Sequence, residues 1–346
     1  MLTGRLTVDL SSIAANWRAL DALTPPECET AAVVKADAYG CGLARVGRAL
    51  KAEGCRSFFV ATPEEGARLR QALGAAPQIY ILAGYATEEE AGFRTHNLRP
   101  VLNAPEQLSA WLSGPAGPAI LQLDTGMNRL GMEPAELAAI GELPPQITHL
   151  MSHLACADEP EHPQNAAQLL AFQAMTEGRQ TGRTLSATAG ILLGSDYHFE
   201  MIRPGIGLYG GLPFSQGRHA VAVEVPILQI RDIEAGESVG YGAQYIAPRD
   251  GRIATLAAGY ADGLIRQMGN SGQAAGVIHN RPVPFAGRVS MDLVTLDITD
   301  VPEAGPGDMV ELIGPNQSID AIAAMTGTIG HEILTSLGHR YRRVYI

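Results

Sequence analysis

Five polar side chains in this 346-residue chain follow short apolar runs, and as a set they could perform amine chemistry on an anionic ligand. The first, a lysine, comes directly after the β-branched pair Val33-Val34. A lysine usually decorates a surface, and each of the five could merely cap or pair locally. Together they offer a nucleophilic amine, a permanent cation and an imidazole that can transfer protons. The five are Lys35, Asp124, His153, Thr188 and Arg203.

These residues need a scaffold that brings the ends of separate segments together. Short β-rich runs alternate with stretches of helical spacing, and such alternation requires parallel pairing because a crossover helix returns the chain to the same edge. Eight strands in about 230 residues favour a closed (β/α)₈ TIM barrel over the competing open doubly wound sheet. The predicted strands are 31–34, 57–61, 78–83, 98–102, 119–123, 148–154, 185–187 and 202–206, with helices near 11–20, 63–69 and 134–140.

The chemistry of a barrel gathers where its strands end, so the five residues would meet at one mouth. The loops after the seventh and eighth strands, 186–190 and 204–207, are rich in small residues. Such loops commonly bind phosphate through backbone N–H groups, and glycine lets the backbone approach the anion closely. A lysine amine beside a phosphate site is the arrangement that pyridoxal 5'-phosphate requires. We therefore expect this cofactor at the mouth.

The composition changes after about residue 226. Glycine and proline become more frequent, apolar runs shorten, and turn signals recur at 234–237 and 249–251. This pattern is typical of an antiparallel β domain. We expect a barrel domain at 1–230, whose first few residues could join the other domain, and a mainly β domain at 231–346 with a single short helix at 319–325.

Composition excludes several classes of protein. A hydrophobic content of 46% and a charged content of 18% argue against disorder, and the net charge of −11 argues against nucleic acid as a partner. The beginning of the sequence lacks a signal-peptide pattern, and no apolar run predicts a membrane span. The four cysteines form no CxxC pair and are expected to be reduced thiols. We expect a cytoplasmic protein without a membrane partner.

Two further motifs suggest other cofactors. Residues 205–210 satisfy GxGxxG, but a dinucleotide-binding motif should follow the first strand of its unit, whereas this one comes late in the alternating region and leads towards the β domain. His149 and His153 form an HxxxH pair, but they lie in a strand-like run and would not share a helix face. We expect neither a nicotinamide cofactor nor a metal site.

Four motifs of the predicted barrel are VVKADAYGCG (33–42), DTGMNRLG (124–131), SHLACADE (152–159) and RPGIGLYG (203–210). They resemble motifs of the alanine racemase family, whose members are fold type III enzymes dependent on pyridoxal phosphate. The resemblance implies that Lys35 links covalently to the cofactor, that Arg129 lies near the substrate carboxylate, and that Arg203 faces the pyridine nitrogen. The implied cofactor-binding residues are Lys35, Tyr39, His153, Thr188, Arg203, Gly205, Ile206 and His331.

Three motifs of the β domain extend the resemblance: VGYGAQY (239–245), GYADGLIR (259–266) and GRVSMD (287–292). The first matches the family's second catalytic base at Tyr241, which the resemblance places in the partner subunit of a homodimer with shared active sites. The other two imply residues of the substrate access path and the dimer interface, namely Tyr260, Arg266, Arg288, Met291 and Asp292.

The implied reaction is the interconversion of L- and D-alanine, which supplies D-alanine for peptidoglycan. The α-proton must leave one face and return to the other, so two bases on opposite faces suffice once the cofactor delocalises the negative charge. Lys35 and Tyr241 are the expected bases. A tyrosine hydroxyl is a weak base, so the site must favour its phenolate, and the resemblance implies that His153 bonds to it.

Three positions depart from the commoner family pattern. The lysine that often holds the arginine is here Gln122, which carries no charge, so Arg129 would be held by an anion or by geometry alone. The phosphate-contacting tyrosine near the C-terminus is here His331, which removes bulk near the substrate methyl group and adds a group that titrates near neutrality. The third change, Thr188, keeps a hydroxyl where the family commonly has serine.

Three alternative functions fit the same motifs. The chain could racemise another small amino acid such as serine, or it could be a fold-related decarboxylase. It could also bind the cofactor without turnover, as single-domain barrels do, but those barrels lack the second domain that carries Tyr241.

Overall fold

The computed structural model describes residues 3–346 and divides them into two compact units. One unit is Ile13–Arg218, and the other joins the described residues up to Ser12 with His219–Ile346. The boundary expected near residue 230 falls inside the strand Val221–Ile233. Because that strand pairs with other strands of the β unit along its length, the observed division lies earlier, after Arg218.

The strands and helices alternate over most of the first unit, and strands dominate the second. The strands are β1 (Arg5–Val8), β2 (Glu29–Thr30), β3 (Ala32–Val33), β4 (Ser57–Val60), β5 (Gln78–Ile81), β6 (Arg99–Leu102), β7 (Ala119–Gln122), β8 (Ile147–Met151), β9 (Gly182–Thr184), β10 (Met201–Ile202), β11 (Val221–Ile233), β12 (Ser238–Val239), β13 (Tyr245–Ile246), β14 (Gly251–Leu256), β15 (Ala275–Ile278), β16 (Arg281–Pro284), β17 (Val294–Asp297), β18 (Met309–Ile313) and β19 (Arg342–Tyr345). The helices are α1 (Leu10–Asp21), α2 (Lys35–Tyr39), α3 (Leu43–Ala52), α4 (Pro63–Leu73), α5 (Glu90–Thr95), α6 (Pro105–Ser113), α7 (Pro134–Ile140), α8 (Pro163–Thr176), α9 (Thr188–Ile191), α10 (Ile319–Thr326) and α11 (Gly330–Ser336).

The first unit is a (β/α)₈ barrel, as the sequence predicts. Strands β3 to β9 pair in sequence order, each parallel to the next. The ring is closed by β10, which pairs parallel with β2, and Ala31 alone separates β2 from β3. On its other side, a parallel bridge joins Ala187 to Arg203. The carboxyl ends of all eight strand positions therefore surround one mouth.

The last two predicted barrel strands are misplaced. Residues 185–187 are not a strand, because β9 ends at Thr184 and Ala187 forms an isolated bridge before α9 begins. The strand predicted at 202–206 is only Met201–Ile202, since Pro204 has no N–H to continue a ladder and a 3₁₀ turn begins at Ile206. These short strands leave irregular backbone where anion-binding loops are expected.

Helix α4 forms where the sequence places a capping residue followed by proline. Helix α4 begins with Pro63 after Thr62, whose hydroxyl accepts a hydrogen bond from Glu65 N–H. A Cβ at Gly66 would lie 2.7 Å from Ile81, so glycine lets α4 pack directly against β5. Helix α4 thus holds Glu65 at a fixed place near the mouth.

The second unit is mainly β. Its main sheet has the path β16-β15-β18-β11-β1-β19, and β14 and β17 extend it from β11. The predicted late helix is confirmed as α10. The prediction of a single late helix is wrong, because α11 follows it. Helix α11 begins with Gly330 and has no side-chain cap, so its sequence carries little helical signal. No helix within residues 3–346 has both the length and the apolar character of a membrane span.

Candidate active site at the barrel mouth

The backbone after Lys35 forms a left-handed turn. Ala36, Asp37, Ala38 and Tyr39 have φ angles of 53°, 54°, 56° and 54°. This conformation costs residues other than glycine about 1–2 kcal/mol each, so the surroundings must stabilise it. Because the turn is short, Lys35 and Tyr39 of the VVKADAYGCG motif lie close together on one rigid segment.

Two carboxylates hold this turn. Glu65 accepts hydrogen bonds from Asp37 N–H at 3.0 Å and from Ala61 N–H at 2.9 Å. The Asp37 carboxylate accepts from Leu43 N–H at 3.2 Å and pairs with Arg68 at 2.7 Å. Sequence analysis missed Glu65. The helix start at Pro63 indicates its position but not its bond to the turn.

The amine of Lys35 has an altered proton affinity. Its side chain is accessible, yet the surrounding protein partly desolvates the amine and lowers its pKa. The nearby Arg129 cation lowers that pKa further, and Glu65 opposes the change. A lowered pKa increases the fraction of neutral amine, which is the nucleophilic form.

Arg203 is buried, and uncharged oxygens hold its guanidinium. Its Nη2 donates to the carbonyls of Ser152 at 2.7 Å and Leu185 at 3.1 Å, and its Nη1 donates to the Thr184 hydroxyl. Within residues 3–346 no carboxylate lies within ion-pair distance of it. Burial lowers the pKa of Arg203 to about 9, so the side chain remains charged at neutral pH.

His153 lies two residues beyond β8 and is neutral. Burial lowers its pKa to about 3, and the cations of Arg203, Arg129 and Lys35 contribute in that order. These electrostatic effects show that the structure brings the four predicted groups together. A neutral imidazole can donate one hydrogen bond and accept another.

The loop that carries Arg129 is organised around Asp124. The Asp124 carboxylate accepts from the N–H groups of Gly126 at 2.8 Å and Met127 at 2.9 Å. Gln122, the last residue of β7, donates to the carbonyl of Leu130 at 3.2 Å and so binds the same loop. Gln122 therefore holds the backbone next to Arg129, where the sequence suggested an anion or geometry alone.

The predicted phosphate loops pack closely together. The Thr188 hydroxyl accepts from Gly205 N–H at 3.0 Å and Gly207 N–H at 3.2 Å. A Cβ at Gly205 would lie 2.5 Å from the Tyr39 hydroxyl oxygen, so glycine is required there. Burial raises the pKa of Tyr39, which keeps its hydroxyl protonated as a donor. Ile206, 4% exposed, lies between these two glycines and begins the 3₁₀ turn Ile206–Tyr209.

The β unit groups five of its predicted residues in two places, and Arg266 and His331 lie in two further elements. Tyr241 is 72% exposed, and a Cβ at the adjacent Gly242 would lie 3.3 Å from the Arg288 guanidinium. In the second place, Tyr260 N–H donates to Ser290 O at 3.0 Å. Arg266 is exposed in a separate 3₁₀ turn, and His331 is half-buried at the start of α11.

An ion-pair network that sequence analysis missed holds the segment of Tyr260 next to the segment of Asp292. Arg340 pairs with Asp262 at 2.6 Å and with Asp292 at 2.7 Å. Asp262 also accepts from Gly259 N–H at 2.8 Å, and Ala261 N–H donates to Met291 O at 3.0 Å. These contacts position Met291 and Asp292 beside the 3₁₀ turn Tyr260–Asp262. No spacing in the sequence links Arg340 to them.

One cavity of the barrel unit lies away from its mouth. It has a volume of about 810 Å³ and is lined by residues such as Thr176, Arg179, Arg183 and Glu200 at the amino ends of β9 and β10. It is wide open, and barrels place their chemistry at the opposite ends of the strands. Among residues 3–346 no cluster of three His, Cys, Asp or Glu side chains is placed to hold a metal ion.

Comparison with known proteins identifies the family. A family model described as alanine racemase, N-terminal domain, matches residues 8–213, and one described as alanine racemase, C-terminal domain, matches residues 220–345. The chain belongs to the alanine racemase family. It is 51% identical to an alanine racemase of Cereibacter sphaeroides (strain ATCC 17029 / ATH 2.4.9), covering 100% of this chain and 99% of that protein. An alanine racemase of Jannaschia sp. (strain CCS1) is 52% identical, with 99% of each chain covered.

Solved alanine racemases have the same fold. The crystal structure of alanine racemase from Bartonella henselae with covalently bound pyridoxal phosphate has a TM-score of 0.93 at 37% identity, with 100% of both chains covered. The biosynthetic alanine racemase of Pseudomonas aeruginosa gives the same TM-score, identity and coverage.

Pyridoxal phosphate is the cofactor of this alanine racemase family member, and the barrel mouth fits it. The Gly205 backbone lies close to the Tyr39 hydroxyl, which can donate to a phosphate oxygen, and glycine there leaves room for an anion to approach. The amine of Lys35 and the buried guanidinium of Arg203 lie in the same mouth. The cofactor supplies the delocalisation that stabilises a carbanion at the substrate α-carbon.

Proposed function

We propose that the chain is an amino-acid racemase that interconverts L- and D-alanine and supplies D-alanine for peptidoglycan. The observation that carries this proposal is the convergence of Lys35, Arg129, His153 and Arg203 at one mouth. The family's solved structures and curated relatives support the substrate.

In this proposal Lys35 holds the cofactor and moves the α-proton on one face of the substrate. Its lowered pKa supports the role, because a neutral amine can accept a proton at neutral pH. Arg129 binds the substrate carboxylate. Tyr39, Thr188, Gly205, Ile206 and His331 bind the cofactor phosphate.

Arg203 restrains side reactions. A permanent cation beside the pyridine nitrogen keeps that nitrogen unprotonated, so the ring withdraws electrons less strongly. The carbonyl partners of Arg203 support this role, since no carboxylate among the described residues is paired with it to offset its charge. Arg203→Glu should increase transamination of alanine to pyruvate, and an unchanged ratio of pyruvate to racemised alanine would contradict the role.

Tyr241 is the proposed second base, and it acts in the partner subunit of a homodimer. Its exposure of 72% supports this, because its own unit leaves the phenol accessible to another chain. Neutral His153 can donate its ring N–H to the phenolate of this tyrosine. The proposed substrate access path and dimer interface comprise Tyr260, Arg266, Arg288, Met291 and Asp292.

A cytoplasmic location is proposed on the sequence composition. The thiols of Cys28, Cys41, Cys55 and Cys156 form no disulfide in the described structure, and a reducing compartment favours that state.

The test is a circular-dichroism assay of purified protein loaded with pyridoxal phosphate on L-alanine, D-alanine and L-serine. We expect the alanine signals to decay to zero from both directions, with L-serine slower. Loss of carbon dioxide, read by mass, would instead identify a decarboxylase. A stable signal with all three amino acids would overturn the proposal.

A further inference from the structure

A fully buried glutamine on α8 joins two loops of the barrel mouth. Gln168 has 0% exposure, although glutamine is seldom buried. Its Nε2 donates to the Thr125 hydroxyl at 3.1 Å and to the His153 carbonyl at 2.9 Å. Its Oε1 accepts from Ala155 N–H at 2.8 Å. One side chain thus binds the Arg129 loop, through Thr125, and the His153 segment.

The orientation of this amide is fixed. A backbone N–H can only donate and a carbonyl can only accept, so the Gln168 oxygen must face Ala155 and its nitrogen must face His153 O. Both amide protons and one oxygen lone pair are then in use. Reversing the amide would break the bonds to Ala155 N–H and His153 O and leave these buried polar groups unsatisfied.

The hydrogen bonds continue from Thr125 in one direction. Ser152 donates its only hydroxyl proton to Leu123 O at 2.9 Å. The bond of 2.8 Å between the Thr125 and Ser152 hydroxyls must therefore have Thr125 as donor. The order of donation runs from Gln168 through Thr125 and Ser152 to the backbone of the Arg129 loop.

The same network reaches the buried arginine. The Ser152 carbonyl accepts from Arg203 at 2.7 Å. Ser152 therefore contacts Arg203 through its backbone and Thr125 through its side chain. Helix α8 adds a second contact one turn earlier, where Gln164 donates to Gly126 O at 3.0 Å.

We propose that Gln168 is a positioning residue for racemisation, which holds the Arg129 loop in register with His153. This inference rests on the proposed roles of Arg129 and His153. The regular helix α8 provides the fixed support, and a displacement of about 1 Å in a substrate-binding group can reduce catalysis about a hundredfold.

The test compares Gln168→Met, which keeps the side-chain length and removes the hydrogen bonds, with Asn165→Leu. Asn165 is a matched control, because it is buried on the same helix and donates to Glu159 O at 2.9 Å without contacting the Arg129 loop. Thr125→Val removes the hydroxyl that joins Gln168 to Ser152, and Thr125→Ser keeps it. This pair provides the test if Gln168→Met does not fold.

The first readout is independent of turnover. In cofactor-loaded protein, hydrogen–deuterium exchange of residues 124–131 and 152–156 should rise together in Gln168→Met. Asn165→Leu should leave 124–131 unchanged. Thr125→Val should raise exchange in 124–131, and Thr125→Ser should restore it. Unchanged exchange at 124–131 in Gln168→Met or Thr125→Val overturns the inference.

The second readout reports on Arg129. The inhibition constant of acetate, a carboxylate without an amine, should rise about tenfold in Gln168→Met. The losses in kcat/KM from Gln168→Met and Arg129→Lys should be less than multiplicative in the double variant. Multiplicative losses with an unchanged acetate constant overturn the inference. Failure of the wild-type protein to racemise alanine overturns the proposed function instead.

Discussion

The barrel mouth and the β unit hold their candidate site residues by different means. At the mouth, Arg203 and the Arg129 loop are fixed by hydrogen bonds and not by ion pairs among the described residues. Arg203 donates to backbone carbonyls, and the loop is held by Gln122 and by the Asp124 carboxylate, which accepts from backbone N–H groups. On the β unit, Tyr241 is 72% exposed, and the loops that carry Tyr260 and Asp292 are tied by the ion pairs of Arg340. The residues proposed to bind the cofactor are therefore preorganised within the barrel unit, whereas the Tyr241 side chain of the β unit is largely exposed to solvent.

The largest effect should come from the amine at the mouth. Lys35→Ala should reduce racemisation by at least about 10⁴-fold, because it removes both the covalent link and one base. Absorbance of the loaded protein and the circular-dichroism assay measure the two losses. Lys51→Ala is the control, since that lysine donates to Leu73 O on the outer helices. Substantial residual turnover in Lys35→Ala would mean that the mouth is not the catalytic centre.

A mixed dimer tests whether the two regions act together in trans. Lys35→Ala and Tyr241→Phe homodimers should each be nearly inactive. A heterodimer of the two has one site with both defects and one with neither, so about half of wild-type activity per dimer should return if the tyrosine comes from the partner. Co-purification on two different tags isolates the heterodimer. Recovery of no activity would place both bases in the same chain or remove Tyr241 from the mechanism.

The two regions also differ in what the sequence could predict. The strand-end positions of Lys35, His153 and Arg203 follow from alternating β and α segments, because a barrel aligns strand ends whatever their separation along the chain. The bonds of Glu65, Gln168 and Arg340 could not be predicted. Each joins residues distant in sequence, and no periodicity reports which loop a polar side chain reaches.

The left-handed turn is the strained part of the mouth, and Glu65→Gln should show how it is held. An amide places N–H groups against the backbone donors of Asp37 or Ala61, so the free energy of unfolding should fall by about 1–3 kcal/mol. Removing the charge also lowers the pKa of Lys35 further, so the pH midpoint for cofactor uptake by the apoprotein should move down. Glu64→Gln, at the preceding residue of the helix, is the control. An unchanged pH midpoint for cofactor uptake would contradict the effect of the Glu65 charge on the pKa of Lys35.

The neutral state of His153 predicts a pH dependence of stability. Its folded-state pKa of about 3 lies below the ordinary value of 6.5, so the unfolded chain binds a proton that the folded chain does not. Stability is therefore lost as the pH falls below about 6.5, by about 2 kcal/mol between pH 7 and pH 5. Urea unfolding of wild type and His153→Gln at both pH values measures this, and the variant should lose about 2 kcal/mol less. Equal losses would show that the imidazole is protonated in the folded protein.

The smallest expected effect concerns the ion pairs of Arg340 in the β unit. Arg340 is half-exposed, and its pairing with Asp292 is open to solvent, so added salt should screen it. Arg340→Met should therefore increase hydrogen–deuterium exchange in residues 259–263 and 290–293, and 1 M NaCl should produce part of the same increase in the wild type. Exchange in residues 124–131 of the mouth should respond to salt much less, because among the described residues that loop has no ion pair and is held by hydrogen bonds from Gln122 and to the Asp124 carboxylate. A salt response of equal size in both regions would remove the distinction between them.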